Sequence, residues 1–276
     1  MRSLTENDHV REFIRLARFD TEVSYRSPVI ELLVAIVVFV AGAGALRATM
    51  GMTVSSRIQA IPFYNATQTC EMFTQGVEMQ LTMGLILALY NVWYTMVLLI
   101  PPIVAFTFAR RFEDGTMRTF LSYPIDRRQL IVTKMIVLFL VVWIPGVIIS
   151  VTWIYLPFLG IVDWAGIVLT IAVATVALML LVTGTFAIAA VTRKSATTTV
   201  VAMMMWIVLL ITFSSQGTIP PFMAIGNPMN LVLEFLMGGT NAPHLGDVIL
   251  GLVVDAMLAT LAGVVAIKAF DMAEVA

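Results

Sequence analysis

Long apolar runs separated by short polar stretches dominate this 276-residue chain. A helix that crosses a bilayer needs ~20 mostly apolar residues. Six segments approach or meet this length, with approximate bounds at 29–46, 81–109, 130–158, 165–191, 197–213 and 247–269. Pro101-Pro102 predicts a kink in the second segment, and Pro145-Gly146 predicts a bend in the third. The pattern therefore predicts an all-α polytopic membrane protein, with six transmembrane helices in one domain over residues 1–276.

The composition supports a membrane protein and narrows the chemistry. Apolar residues make up 60% of the chain, the mean hydropathy is +0.96, and charged residues are 12%. Soluble domains carry about 25% charged residues. The single cysteine, Cys70, excludes an internal disulfide framework and a cysteine-based metal cluster.

The basic residues predict the orientation, because cytoplasmic loops retain Lys and Arg. With the N-terminus inside, 14 of the 16 basic residues fall on the cytoplasmic side, and only Arg47 and Arg57 fall outside. The predicted external connections at 160–164 and 214–246 contain no Lys or Arg. We therefore expect a multi-pass protein of the cell membrane with both termini in the cytoplasm.

Residues 8–24 precede the first predicted span and have an amphipathic helical pattern. The apolar residues Val10, Phe13, Ile14 and Ala17 share one face, and Arg11, Arg15, Arg18 and Glu22 share the other. This pattern predicts a helix lying in the cytoplasmic interface of the membrane. It fits a general membrane anchor and also a specific contact with a partner.

The predicted external region 214–246 is largely apolar but is broken by several Pro and Gly residues. It is too interrupted to span, and residues 230–237 predict a short helix that re-enters the outer leaflet. Irregular backbone at that depth must be buried in protein or face water. On the predicted external connection at 49–80, Asn65-Ala66-Thr67 forms a glycosylation acceptor pattern, which matters only in a host that glycosylates surface proteins.

A short charged segment, 112–129, lies between the second and third predicted spans. Its apolar residues Met117, Phe120 and Leu121 are spaced to share one helical face, and Gly115 and Pro124 bound that helix. A helix of two turns is not stable alone in water, so it needs a groove in which to bind. The alternative interpretation is a plain connecting loop on the bilayer surface.

The sequence "ARRFEDGTMRTFLSYPIDRRQLIVTK" at 109–134 resembles the signature between spans two and three of ABC-2-type transporter permeases. That signature has an acid, Gly-Thr, an apolar pair, Ser-x-Pro-Ile, basic residues and a Lys. The matching residues here are Glu113, Gly115, Thr116, Phe120, Leu121, Ser122, Pro124, Ile125, Arg127, Arg128 and Lys134. Met117 stands where Leu or Ile is expected, which is a volume-conserving difference. The six spans, the N-terminal "elbow" helix and the broken element before the last span are also similar to that family.

The resemblance implies the membrane half of an ATP-driven exporter. It implies that a coupling helix at 116–122 binds a separate ATPase subunit, present in two copies, and that a second permease copy or a close paralogue completes the path. The residues it assigns to ATPase coupling are Glu113, Gly115, Thr116, Met117, Phe120, Leu121, Pro124, Arg127 and Arg128. Membrane lipid and an external substrate-binding or accessory protein are further candidate partners, and no nucleic acid is expected.

The chain lacks a nucleotide-binding motif of its own. It has no GxxxxGK[ST] sequence, so we expect no cofactor on this chain and expect ATP and Mg on the partner ATPase. The two histidines, His9 and His244, lie far apart in the sequence and outside the predicted spans. A metal site built on them is therefore not expected.

Asp255 stands midway along the sixth predicted span. A carboxylate at that depth costs roughly 2.5–3.5 kcal/mol on insertion scales, so it should face the bundle interior or water. It either contacts a translocation path or locks helices together, and small neighbours such as Gly251 favour tight helix packing. Tyr90, Asn91, Trp93 and Tyr94 in the second span either line a lateral cavity of the translocation path or form ordinary interhelical packing.

Two other function classes compete with transport. An intramembrane enzyme would need paired acids, a His or a nucleophile with its base inside the spans, and Asp255 stands alone there. A complex that passes ATP-driven motion to an external protein has the same sequence features as a transporter. Copurification with an ATPase distinguishes the intramembrane enzyme from the transporter and from the motion-transmitting complex. Reconstituted transport then distinguishes the transporter from that complex.

Overall fold

The computed structural model describes residues 14–15, 17–18, 31–44, 46, 66–117, 127–156, 164–213, 235 and 244–272. Nearly all of these residues are helical, and no strand occurs among them. This confirms the predicted all-α class.

Six longer helices account for most of the described residues. Their bounds are Glu31–Gly44 for α1, residues 66–113 for α2, Arg127–Tyr155 for α3, Trp164–Thr192 for α4, Ser195–Phe213 for α5 and Leu245–Asp271 for α6. Within α2, the α-helix Ala66–Val104 is followed by a π-helical turn at Ala105–Ala109 and a last turn at Arg110–Glu113. Within α3, the α-helices Arg127–Trp143 and Ser150–Tyr155 flank a π-helical turn at Ile144–Ile149.

Four stretches of helix are long and apolar enough to cross a membrane, namely Leu87–Glu113, Arg127–Tyr155, Trp164–Thr192 and Leu245–Asp271. They correspond to four of the six predicted spans. The other two, Glu31–Gly44 and Ser195–Leu210, are shorter apolar helices over the described residues. Six spans therefore stay a prediction.

Helix α2 begins at Ala66, well before the predicted start of the second span at residue 81. The added length includes Gln68, Glu71 and Glu78, which are polar but good helix formers. No proline interrupts the helix before Pro101. The helix therefore continues beyond its apolar part, into residues that hydropathy alone assigns to an external connection.

Both predicted proline bends coincide with π-helical turns. The turn at Ala105–Ala109 follows Pro101 and Pro102, and the turn at Ile144–Ile149 contains Pro145. Proline has no backbone N–H to donate, so the hydrogen bonds of the helix rearrange nearby. In the second turn, the Pro145 carbonyl accepts both the backbone N–H and the hydroxyl of Ser150, the hydroxyl at 2.7 Å.

Polar pairs join α3 to α4 inside the apolar bundle. The hydroxyls of Tyr155 and Thr170 lie 3.1 Å apart, and the Trp143 indole N–H donates to Thr175 Oγ1 at 2.9 Å. Such hydrogen bonds and small residues drive helix packing where the surrounding lipid is as apolar as the side chains.

Helix α4 also contacts α5 and α6, so it lies at the centre of the described bundle. The Trp206 indole of α5 donates to Thr185 Oγ1 at 3.2 Å, and a Cβ added at Gly184 would lie 2.9 Å from the Trp206 ring. On α6, a Cβ added at Gly263 would lie 3.9 Å from Thr183 Cγ2.

Several predicted elements lie wholly or mostly outside the described residues. In the segment 8–24, Ile14 and Arg15 are helical and exposed, as is Arg18, whereas Ala17 packs against the core. Of the region 214–246, Phe235 is helical and packs against the core, and His244 immediately precedes α6. Residues 118–126 of the segment 112–129, with Phe120, Leu121 and Pro124, lie outside the described residues, as does Asn65.

Candidate functional site at the basic end of the bundle

Arginines and lysines cluster where α2 and α4 end and where α3 and α5 begin. They are Arg110, Arg111, Arg127, Arg128, Arg193 and Lys194. We call this the basic end of the bundle, and Lys268 near the end of α6 belongs to it. The segment 112–129 leaves α2 and enters α3 here, so its two ends attach to the same end of the bundle.

Glu113, the last residue of α2, holds the start of α5. Its Oε1 accepts the backbone N–H of Ser195 at 3.0 Å, and its Oε2 accepts the Ser195 hydroxyl at 2.7 Å. The first N–H groups of a helix have no partner within the helix, and a negative charge is favourable there. Glu113 therefore caps α5 from another helix.

The pKa of the Glu113 carboxyl lies below its ordinary value, chiefly because the Ser195 hydroxyl and backbone N–H donate to it. Glu113 is exposed and lies beyond the apolar part of α2, after Arg110 and Arg111. The positive charges of Arg110 and Lys194 lower this pKa further, because they favour the charged carboxylate. The cap thus uses an ionised carboxylate.

A two-residue link, Arg193-Lys194, joins α4 to α5 beside this cap. Arg193 has a φ of 53°, in the left-handed region that non-glycine residues rarely adopt. The hydroxyls of Thr192 and Thr198 lie 2.6 Å apart across the link, and the Thr198 N–H donates to the Lys194 carbonyl at 2.8 Å. The link is therefore a closed, hydrogen-bonded turn.

On the opposite side of the segment, Arg128 joins α3 to α6. Its Nε donates to Asp271 Oδ2 at 2.8 Å. The resemblance assigns Arg128 to ATPase coupling, which stays a prediction, and within the chain Arg128 has a partner at the end of α6. Its side chain is 70% exposed, so the guanidinium also remains open to solvent.

Four phenylalanines pack together just inside the basic end. Phe108 lies 5.3 Å from Phe112, 5.1 Å from Phe186 and 5.9 Å from Phe270 between ring centroids, and Phe112 lies 6.0 Å from Phe270. These separations are typical of favourable edge-to-face and tilted ring pairs. Phe108 belongs to the π-helical turn of α2, so this cluster joins that turn to α4 and α6.

The first residues of the segment 112–129 form a tight turn. Gly115 has a φ of +70°, which a residue with a side chain would adopt only with strain. The Thr116 hydroxyl donates to the Arg111 carbonyl at 3.3 Å. The chain thus reverses at Gly115, directly after the Glu113 cap.

Met117 differs from the expectation that it faces a partner with Phe120 and Leu121. Its side chain is 1% exposed and belongs to the chain's own hydrophobic core. Helical spacing places the three residues on one face of an isolated helix, but it contains no information on whether the bundle covers Met117. Phe120 and Leu121 lie outside the described residues, and their contact with a partner stays a prediction.

Asp255 is fully buried on the side of α6 that packs along α4. Gly251 and Ala259, four residues before and after it, are buried on the same side, whereas Val253 and Met257 are exposed. Asp255 also makes an interaction within the structure. This burial favours the interpretation that Asp255 holds helices together.

The predicted aromatic group of α2 is divided between two sides of that helix, because Asn91 and Tyr94 are exposed whereas Trp93 is buried and Tyr90 packs against the core. Tyr94 is 38% exposed, Asn91 is exposed, and the rings of Tyr90 and Tyr94 stack at 5.7 Å. A small cavity lies on another side of α2, between Trp93 and Met96 and residues of α3 and α4 such as Ser150. It offers about 20 Å³ to the centres of water molecules, enough for roughly one water.

Within the described residues, no group of three or more His, Cys, Asp or Glu side chains could hold a metal ion. At the basic end, the carboxylates of Glu113 and Asp271 bind Ser195 and Arg128. Sequence reasoning missed Ser195 and Asp271 as partners in these pairs. Ser195 directly after Arg193-Lys194 is a typical helix start, but its contact with a residue 82 positions earlier has no sequence signal.

The chain was also compared with known proteins. Residues 15–237 match the family described as ABC-2 family transporter protein, which is more than half of the chain. This chain belongs to the ABC-2 transporter family. The matched region of this ABC-2 permease includes the signature at 109–134, both sides of the Glu113 contact with Ser195, and Arg128. No curated protein matches the chain.

Family membership shows the general role. ABC-2 permeases are membrane transport subunits of ABC transporters and are not themselves ATPases, and membership implies a partner ABC ATPase subunit. With the apolar helices described above, it makes this protein a multi-pass membrane protein.

Proposed function

We propose that this ABC-2 permease is the membrane subunit of an ATP-driven exporter. It acts as a dimer with a second copy or a close paralogue, and two copies of a separate ATPase bind at the basic end. That end faces the cytoplasm of the cell, and both termini lie there. The 14-to-2 distribution of basic residues supports this orientation.

In this proposal the segment 112–129 is the coupling segment. Phe120 and Leu121 enter a groove of the ATPase, Gly115 and Pro124 bound the short helix that carries them, and Arg127 lies at the rim of the contact. Thr116 stabilises the turn through the Arg111 carbonyl. When ATP closes the ATPase dimer, the coupling segment carries that motion into the helices and shifts access from inside to outside.

The observation that carries the proposal is the attachment of both ends of the coupling segment. Glu113 at its start holds α5, and Arg128 at its end holds α6. A loop that only connected two spans would need neither contact. Here a displacement of the segment acts on α2, α3, α5 and α6 together.

Copurification tests the proposal. The tagged permease, extracted in mild detergent, should retain a polypeptide with a Walker A motif, and the complex should hydrolyse Mg·ATP in a vanadate-sensitive manner. A chain that purifies without any ATPase, under conditions in which it stays folded, would contradict the proposal. The coding sequences next to this one would then indicate the substrate class to test in reconstituted vesicles.

A further inference from the structure

We propose that Glu113 is a positioning residue that fastens the start of the coupling segment to the α4–α5 hairpin, so that the end of α2 and this hairpin move as one body. The inference rests on the proposed function, because it assumes that the coupling segment receives a displacement. Beyond the proposed function, it states that α4 and α5 move with the end of α2 because Glu113 is bonded to Ser195.

The geometry supports a firm attachment. Both carboxylate oxygens of Glu113 are used, one on the Ser195 backbone N–H at 3.0 Å and one on its hydroxyl at 2.7 Å. Charged hydrogen bonds of this kind are about twice as strong as neutral ones. Ser195 is the first residue of α5, so the contact lies where the helix offers an unsatisfied N–H.

The α4–α5 hairpin, to which Glu113 is bonded, is held together by hydrogen bonds between its two helices. Thr192 and Thr198 are joined across the two-residue link, and deeper in the bundle Trp206 donates to Thr185. Residue 192 of α4 pairs with residue 198 of α5, and residue 185 pairs with residue 206. The two helices therefore run antiparallel and form a hairpin. A force applied at Ser195 therefore displaces α4 and α5 together rather than unwinding the turn.

The coupling segment also has an opposite attachment. Arg128, at the start of α3, is bonded to Asp271 at the end of α6. The Glu113 contact thus acts on α2 and α5, and the Arg128 contact acts on α3 and α6. The phenylalanine cluster joins α2, α4 and α6 but not α5, so we expect movement of the segment to change the distance between the start of α5 and the end of α6.

The chain offers a matched control for Glu113. Asp114 is the next residue, also an exposed carboxylate, and its partner is Arg110 one turn earlier, at 3.4 Å. That pair is exposed on both sides and should contribute little. Glu113→Ala removes the contact with α5, whereas Asp114→Ala removes a carboxylate and leaves that contact in place.

The test measures the movement directly. In a Cys70→Ser background, spin labels are placed at Thr197 in α5 and at Met272 after α6, both exposed. The complex with its ATPase, in lipid nanodiscs, is compared without nucleotide and after trapping with Mg·ATP and vanadate. We expect a nucleotide-dependent distance shift in the otherwise unchanged protein and with Asp114→Ala. The shift should be lost with Glu113→Ala while the ATPase stays bound.

A shift that persists unchanged in Glu113→Ala would overturn the inference. If no ATPase is retained by the unchanged permease, the proposed function itself fails, which is a different result. If Glu113→Ala does not assemble, Glu113→Gln is the second variant. Its amide oxygen can still accept one Ser195 hydrogen bond, but its NH₂ group faces a donor, so the shift should be reduced.

A cross-link distinguishes joint movement from a contact that must open. Cysteines replace Glu113 and Ser195 and are joined by a short bifunctional thiol reagent, while the spin labels at 197 and 272 are attached to ketone-bearing non-natural residues that do not react with thiol reagents. If the two sides move as one body, the cross-linked complex keeps the nucleotide-dependent shift between positions 197 and 272, and the reduced, unlinked double variant loses it. Loss of the shift on cross-linking would show that the contact has to break during the cycle and would overturn the inference.

Discussion

The Nε atom of Arg128 lies 2.8 Å from Oδ2 of Asp271, and this contact joins the start of α3 to the end of α6. The two residues are 143 positions apart in the sequence. The contact joins two helix ends next to the last residues of the coupling segment. Glu113 and Ser195 join two others next to its first residues.

We predict that Arg128→Asp lowers the stability of the permease only slightly. Exposed ion pairs contribute ~0.2–1 kcal/mol, and the Arg128 side chain is 70% exposed. The exchange Arg128→Asp with Asp271→Arg should restore most of the loss. Thermal unfolding in detergent at low and high salt measures both, and the difference should shrink at high salt. Arg127→Asp, the same change one residue earlier, is the control, and an equal loss there would argue against a specific pair.

A second prediction concerns the approach of α1 to α2. A Cβ added at Gly44 would lie 2.7 Å from Ala88 Cβ and 2.9 Å from Ala88 Cα, whereas a Cβ at Gly42 would meet nothing within 4 Å. Gly44→Ala must therefore push the two helices apart, since backbone cannot yield as a flexible side chain does. Overpacking of this kind typically costs ~1–3 kcal/mol.

Gly42→Ala is the matched control for that change, because it adds the same methyl group two residues away in the same helix. We expect it to leave the thermal unfolding temperature unchanged or to raise it slightly, since alanine is the better helix former. If both variants unfold at the same temperature, the close contact between Gly44 and Ala88 is absent in the membrane.

For Asp255, we predict that Asn is tolerated and Ala is not. Asp255 is fully buried and makes an interaction within the structure. An amide keeps the shape and the polar atoms of the side chain, whereas a methyl group removes its interaction within the bundle at a cost of ~1–3 kcal/mol. Thermal stability and transport are measured in parallel. Normal assembly with lost transport in Asp255→Asn would contradict the packing role and favour a role in the path.

A fourth prediction tests the orientation through cysteine labelling in a Cys70→Ser background. The distribution of Lys and Arg puts Thr119 inside and Thr240 outside. A cysteine at Thr240 should react with an impermeant thiol reagent added to intact cells, and one at Thr119 should react only after the membrane is opened. The reverse result would invert the proposed topology.

Sequence pattern predicted the helical class and the position of most apolar helices, because hydropathy and helix length have a direct physical link in a bilayer. Pro101 and Pro145 likewise predicted local disturbance, which the structure resolves as π-helical turns. The early start of α2 at Ala66 was not predicted. Hydropathy reports where a helix leaves the apolar region, and a helix can continue past that point.

The candidate site was only partly predictable. The local signature identified Glu113 and Arg128, because their neighbours in sequence form the motif. Their partners Ser195 and Asp271 arise from the way distant helix ends meet, which a single sequence does not encode locally. The same limitation explains Met117, whose spacing matched Phe120 and Leu121 while its burial depends on the rest of the bundle.

The last prediction distinguishes the role of Phe120 and Leu121 from that of Met117. Burying a Phe or Leu side chain contributes about 1.5–3 kcal/mol, and truncated interface anchors commonly cost about 2 kcal/mol or more. Phe120→Ala with Leu121→Ala should therefore weaken ATPase binding by roughly ten- to a thousandfold, at ~1.4 kcal/mol per decade. The permease itself should insert and unfold normally.

Met117→Ala should behave in the opposite way, since Met117 is 1% exposed within the chain's own core. Truncating a buried Met costs about 2–5 kcal/mol of folding stability. We therefore expect a lower unfolding temperature, with ATPase affinity little changed in the fraction that remains folded. Both quantities are measured on detergent-purified protein, by thermal unfolding and by titration with the ATPase. If the double alanine variant binds its ATPase and transports as the unchanged protein does, then Phe120 and Leu121 are not anchors and the segment is only a connecting loop.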